Sequence, residues 1–169
     1  MYGSNGQGST THVCMELFNG LAGLDMVHVP YKGSVFTLTD IMSGRIQVTC
    51  QPLPNLTQFE KTGRVRTLAV TTSKQTRLAP GVPTAGETLP GFDVVGWQGM
   101  VAPLKTPRHI LENVSAALAK IVLAPEMQER LRAQSVEPAP SSPSDFAAHL
   151  EAETSKWLKV LKDANIRPE

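Results

Sequence analysis

Cysteine and aromatic residues are scarce in this chain, and no block of one charge sign interrupts it. Two cysteines, Cys14 and Cys50, cannot staple a small disulfide scaffold, and with so few thiolate ligands the spacings offer no metal site. Cys14 falls in a helical pattern and Cys50 in a strand pattern. Both read as small buried hydrophobes, with a disulfide open to them in an oxidising compartment. Aromatic residues make up 5% of the chain and the net charge is +1, with both signs scattered. The chain therefore has neither a basic surface nor a stacking series for nucleic acid, and no nucleic-acid partner is expected. No apolar run reaches membrane-spanning length. No basic segment followed by an apolar one opens the chain; in a fragment, that says nothing about the parent's destination.

What is present is globular composition, 41% hydrophobic and 18% charged, over 169 residues, enough for one domain or two small lobes. The densest signal lies at the start. Gly3-Ser4-Asn5-Gly6-Gln7-Gly8-Ser9-Thr10-Thr11-His12 interleaves three glycines with short polar residues and runs into a helical pattern from Ser9 to Ala22. Ser9, Thr10 and Thr11 are N-cap candidates, and Val13, Leu17 and Leu21 recur at four-residue spacing. Only Met1-Tyr2 precedes this loop, although such a loop normally follows a complete strand.

The pattern then alternates. Strands are expected at Met26–Val29, Ile46–Cys50 and Val65–Val70. Helices are expected from Ser34, as N-cap, to Met42 and from Leu53 to Lys61. This rhythm argues for α/β architecture with a mostly parallel sheet. Residues 71–93 are rich in Thr, Pro and Gly and read as a long connection with one helical turn near Thr84–Glu87. Val94–Ala102 reads as a strand around Trp97. Three further helices follow: one with Pro107 at its first position, one from Pro125, and a last one opened by Ser142-Pro143-Ser144-Asp145 that must bury Trp157.

Glycine lets backbone amides approach and converge on an anion, and a helix N-terminus adds partial positive charge. A carboxylate or phosphate is the natural guest of the opening loop, with Ser4, Ser9 and Thr10 as hydroxyl donors. The same composition also serves as a plain turn and N-cap. Nucleotide binding is disfavoured: there is no Gly-Lys-Ser/Thr ending, and the glycine order is G-x-x-G-x-G rather than G-x-G-x-x-G. Hydrolysis is disfavoured too, because no strand–Gly-x-Ser-x-Gly–helix elbow exists and His12 is poorly placed to serve Ser9. His12 reads as a local first-turn residue, His28 as a satisfied core histidine, and His109 and His149 as solvated. Tyr31 and Lys32 follow a strand, where ligands gather in open α/β sheets. Trp97, flanked by glycines, is either an apolar ligand wall or a core residue.

Taken in order, Gly3-Ser4-x-Gly6-x-Gly8-Ser9 with His12, Val27-His28-Val29-Pro30-Tyr31-Lys32-Gly33-Ser34, Leu68-Ala69-Val70-Thr71, Val82-Pro83-Thr84, Pro90-Gly91-Phe92 and Trp97-x-Gly99 with Ala102-Pro103 resemble the Bug (TctC-like) family. These are extracytoplasmic solute receptors of tripartite tricarboxylate transporters. The resemblance implies a periplasmic-binding-protein fold of type II, with a small carboxylate metabolite held between two α/β lobes. It implies a periplasmic location, membrane transporter subunits as partners, and no catalysis, cofactor or metal. Ser4, Asn5, Gly6, Gly8, Ser9 and Thr10 match the family's carboxylate loop, and Tyr31, Lys32 and Trp97 join them as candidate ligand contacts.

Two departures are visible. The family's leading segment has no counterpart, so residues 1–70 would be one complete α/β lobe and 71–169 the C-terminal part of the other, with a hinge near Val70-Thr71. Weak or absent ligand binding follows for such a piece, along with self-association through its incomplete sheet. Gln51-Pro52 stands where the family often has Asp and a small polar residue, which removes an acidic contact of the kind an ammonium group would want. The alternative reading is a phosphate-ester-binding enzyme or regulator that uses the same loop.

Overall fold

Tyr2–Ser4 forms strand β1, so the first two residues of the glycine-rich stretch are strand rather than loop. The loop does have its strand; it is only three residues long, and sequence patterning cannot register so short an element. The computed structural model describes residues 1–166. After β1 come α1 (Thr10–Ala22), β2 (His28–Pro30), α2 (Ser34–Met42), β3 (Val48–Thr49) and α3 (Leu53–Glu60). The three strands are parallel in the order β2-β1-β3. Tyr2 pairs with His28 on one side and Val48 on the other, placing β1 at the centre.

Sheet and helices lock together through β1. Tyr2 and Ser4 are fully buried, as are Thr37 of α2 and Ile46 just before β3. Gly3 is required here by space: a Cβ would run into Ile46 Cδ1 and meet Thr37 Cγ2 at 2.9 Å. Helix α1 is capped at both ends. The Ser9 side chain accepts the His12 amide, and Gly23 (φ 63°) takes the left-handed conformation that ends it.

Beyond α3 the expected strand Val65–Val70 does not form. One parallel bridge, Val70 to Thr84, is all that remains of it. The turn expected near Thr84 is present as a short 3-10 helix, Ala85–Glu87, capped by the Thr84 side chain. Val94–Ala102 likewise forms no ladder strand. Its first residue is held by the Val94 amide on the Thr71 carbonyl (2.8 Å) and the Thr71 hydroxyl on the Val94 carbonyl (2.7 Å). Both segments carry strand composition, but a strand needs a neighbour for its backbone groups.

The chain divides into two compact units: Met1–Gly96 with the residues from Trp157 on, and Trp97–Lys156. In the first, Cys14, Phe92 and Val94 form a buried cluster, with Leu17, Phe18, Cys50, Leu89 and Trp157 packed around it. Trp157 thus finds its burial in this unit. Cys14 and Cys50 are thiols, not joined in a disulfide. The second unit contains α4 (Arg108–Val122), α5 (Pro125–Ala133) and the first part of α6 (Pro143–Asp163). Pro107 caps α4 from outside rather than occupying its first turn. In α6 the Ser142 hydroxyl accepts the Asp145 amide at 3.1 Å, as the Ser-Pro-Ser-Asp pattern leads one to expect.

Candidate functional site

In the order β2-β1-β3 the connections β1 to β2 and β2 to β3 run in opposite directions, which puts the switch point of the sheet at the carboxyl ends of β1 and β3, the place where open α/β sheets bind ligands. Asn5 follows β1 and Gln51 follows β3. Their carboxamides meet there as a reciprocal pair: Gln51 Nε2 donates to Asn5 Oδ1 at 2.9 Å, and Asn5 Nδ2 to Gln51 Oε1 at 3.2 Å. Asn5 Nδ2 also donates to Ser34 Oγ (3.0 Å), which accepts from Asn55 Nδ2 as well (2.9 Å). The ends of β1 and β3 and the starts of α2 and α3 are thereby tied into one network of neutral amides and hydroxyls.

The glycine loop, residues 5–9, turns through Gly6 (φ 135°) and Gly8 (φ 69°), backbone conformations that a side chain disfavours. Its internal bonds are dense. Ser9 Oγ donates to the Gly6 carbonyl (2.7 Å), and Gly6 N–H donates to Ser4 Oγ (3.2 Å). Asn5 N–H donates to Thr11 Oγ1 (2.8 Å) and Gly8 N–H to His12 Nδ1 (3.0 Å). The amides of Gln7, Thr10 and Thr11 find no acceptor among the described residues. At α2 the cap is Gly33 (φ 119°), which offers no side chain, with Ser34 as the first helical residue instead of the cap. The amides of Ser34, Val35 and Phe36 are likewise without an acceptor among the described residues. Two helix N-termini, linked through Asn5 and Ser34, therefore present unpaired N–H groups at the edge of one parallel sheet, an arrangement that attracts an anion.

The expected residues separate as follows. Ser4, Asn5, Gly6, Gly8, Ser9 and Thr10 lie together on the loop and the first turn of α1. Ser4 is fully buried and serves the loop from within. Tyr31 sits beside them, its amide on the Ser4 carbonyl (3.0 Å), but its hydroxyl is turned to Asp40 (2.8 Å). Burial and that carboxylate raise the Tyr31 pKa. Lys32 is exposed and lines a shallow hollow of about 270 Å³ with Pro30, Tyr31 and Phe36. Trp97 belongs to the second unit, where its ring packs edge-on against Phe146 (5.6 Å) and His149 (5.2 Å) and stays 43% exposed. His149, expected to be solvated, is exposed but carries this ring contact.

Ser34 and Asn55 were not expected as site residues, and Gln51 entered only as a departure from the family pattern. The signal for Gln51 is its place just past a strand end. His12 and His28 are packing residues, as their patterns suggest, and their rings stack 3.8 Å apart. Burial lowers both imidazole pKa values, that of His28 to about 4. Among the described residues, no group of three His, Cys, Asp or Glu could hold a metal ion. A larger apolar hollow of about 390 Å³ is lined by Phe18, Ala22, Leu68, Pro83 and Leu89. It sits at the C-terminal end of α1, away from the glycine loop, with Thr84 and Thr88 as its polar side chains and no charged residue in its lining.

Comparison with known proteins bears on this site. The family model described as "Tripartite tricarboxylate transporter family receptor" matches residues 1–166. A protein of Pseudomonas sp. strain P51, "UPF0065 protein in tcbD-tcbE intergenic region", is 33% identical over 162 residues, which are 95% of this chain and 48% of that one. The solved structure "R. palustris Rpa4515 with adipate" superposes with a TM-score of 0.84 at 36% identity, covering 99% of this chain and 56% of the other. "Structure of periplasmic binding protein BugD" gives a TM-score of 0.79 at 26% identity, covering 99% of this chain and 57% of the other. The chain spans about half the length of most of the curated relatives it matches.

Proposed function

The chain belongs to the tripartite tricarboxylate transporter receptor family, and from that premise we propose that its loop edge is one jaw of a receptor site for a small carboxylate. The observation that carries this reading is the pair of linked helix N-termini with unpaired amides at the carboxyl edge of a parallel sheet. Amides oriented before the ligand arrives bind a carboxylate without reorganisation. The cluster around them is neutral, with Lys32 beside it, which suits a carboxylate better than the multiple charges of a phosphate ester. The adipate that accompanies the R. palustris structural neighbour is a molecule of this class.

In this reading Ser4, Asn5, Gly6, Gly8, Ser9 and Thr10 shape the jaw, and Tyr31 and Lys32 flank it. For Trp97 the assignment rests on its glycine-flanked ring as an apolar wall, and the ring stays 43% exposed. The fold is that of type II periplasmic binding proteins. A periplasmic site of action, delivery to membrane transporter subunits and closure of two lobes about a hinge complete the proposal. So does the division of the full fold into a lobe spanning residues 1–70 and the returning part of the other from 71 on. The protein is a binder and performs no chemistry on its ligand.

Calorimetry with adipate and shorter dicarboxylates, set against phosphate esters, tests this. Weak heats for dicarboxylates, with none for phosphate esters, are the expected result. Preferential binding of phosphate esters would replace this reading by that of a phosphate-binding enzyme or regulator. A micromolar or tighter dicarboxylate complex would contradict the weak affinity expected of a single jaw.

A further inference from the structure

Two histidines lie directly under the glycine loop, His12 buried and His28 half-buried, and the anion-binding reading makes no use of them. Three flat rings stack there: Tyr2 of β1 on His28 of β2 (4.9 Å, 18°), and His28 on His12 of α1 (3.8 Å, 10°). His12 is 3% exposed. Each imidazole is bonded to the loop. Gly8 N–H donates to His12 Nδ1 at 3.0 Å, and a backbone N–H can only donate. His12 Nδ1 must therefore carry a lone pair, and its proton sits on Nε2, which faces Glu16 Oε1 at 4.0 Å. His28 Nε2 lies 2.7 Å from Ser4 Oγ, the atom that accepts Gly6 N–H. Both positive-φ glycines of the loop are thus anchored to the imidazole pair, Gly8 directly and Gly6 through Ser4.

We propose that His12 and His28 are positioning residues for the loop, and that a proton taken up at His12 Nδ1 releases the Gly8 turn. The released turn is the one that presents the amides of Gln7 and Thr10. The ionisable groups facing the two rings are Glu16 on α1, which accepts the Tyr2 hydroxyl, and Tyr2 on β1. Glu16 stands beside His12, so His12 takes the first proton. The 3.8 Å stack then resists a second proton on His28, because two imidazolium rings at that distance repel. Burial keeps both rings neutral near pH 7, so the loop is held in neutral solution and freed in acid.

The ligand reading gives this device its purpose, but the device is measured on the chain without ligand. Failure to bind carboxylates would overturn the former and leave the latter standing. Long-range ¹⁵N spectra of the histidine rings, recorded from about pH 8 to about pH 4, report tautomer and charge, and the Gly8 amide is followed alongside. His12 is expected as the Nε2–H tautomer at neutral pH, with the Gly8 amide shifting and losing exchange protection in the same step in which the His12 ring protonates. In His12→Asn, a carboxamide oxygen takes over the acceptor role and does not titrate in this range, so the Gly8 amide should stay protected throughout. An Nδ1–H tautomer for His12 at neutral pH overturns the proposal, as does a Gly8 amide that is unmoved while His12 titrates. Both are read on the unaltered chain, so the test stands even if the variant does not fold.

Discussion

At Gly3 the whole sheet depends on one missing methyl group. The residue sits on the central strand, with Ile46, Thr37 and Tyr31 closing over it. Gly3→Ala should cost about 1–3 kcal/mol, because backbone and side chains must give way together. Urea denaturation checks this; an unchanged midpoint would mean that the packing around β1 is loose. His28 contributes to the loss of stability in acid. Its folded pKa of about 4 lies below the ordinary 6.5, chiefly through burial and secondarily through the charge of His12. The unfolded chain therefore binds more protons between those values, so this contribution is fully present above about pH 6.5 and is lost as pH falls toward 4. The melting temperature should drop across that window, and His28→Gln should flatten the drop. An equal drop in the variant would place the acid sensitivity elsewhere. Residue types such as these were partly legible: a histidine inside an apolar strand announces a satisfied core group. Gln51 was legible only as a departure from a family pattern. Its pairing with Asn5 depends on strand order, which no local window contains.

Elements differ in how far they carry their own instructions. Helix α1 holds its signals within itself, Ser9 at one end, Gly23 at the other and a four-residue apolar spacing between. It could therefore be read from sequence almost to the residue, as could α3, while for α5 and α6 the starts were legible. Ser9→Ala should cost about 1 kcal/mol through loss of the cap, and also loosens the loop, because Ser9 Oγ holds the Gly6 carbonyl. Gly20→Ala should do the reverse. Gly20 lies within α1 with open space where a Cβ would stand, so alanine should stabilise by about 0.5–1 kcal/mol. Thermal melts of the two variants should shift in opposite directions, and a destabilising Gly20→Ala would contradict the open space seen there. Strands carry no such internal guarantee. Residues 65–70 and 94–102 have β-branched and apolar composition, yet their backbone partners would have to come from other strands. Apart from the bridge at Val70 and the bonds between Thr71 and Val94, the described residues supply none.

For the molecule as a whole, the second unit shows the same incompleteness on a larger scale. Met100, Val101 and Leu104 are exposed, and α4 and α5 bury no residue, although Ile110, Val114 and Ile121 form an apolar stripe on α4. Apolar surface of this kind drives association, so sedimentation at rising concentration should show mass above that of one chain. A constant monomer mass would count against it. The fold class was legible because strand–helix alternation runs through residues 1–70; the unit boundary at Gly96–Trp97 was not, since it depends on which distant segments touch. The carboxylate jaw is the central claim, and amide-resolved NMR titration with adipate addresses it most directly. Shifts should concentrate at Gln7, Thr10, Thr11 and residues 34–36, saturating with an affinity on the order of 1 mM. Shifts confined to other segments, or none at those amides at any adipate concentration reached, would contradict it.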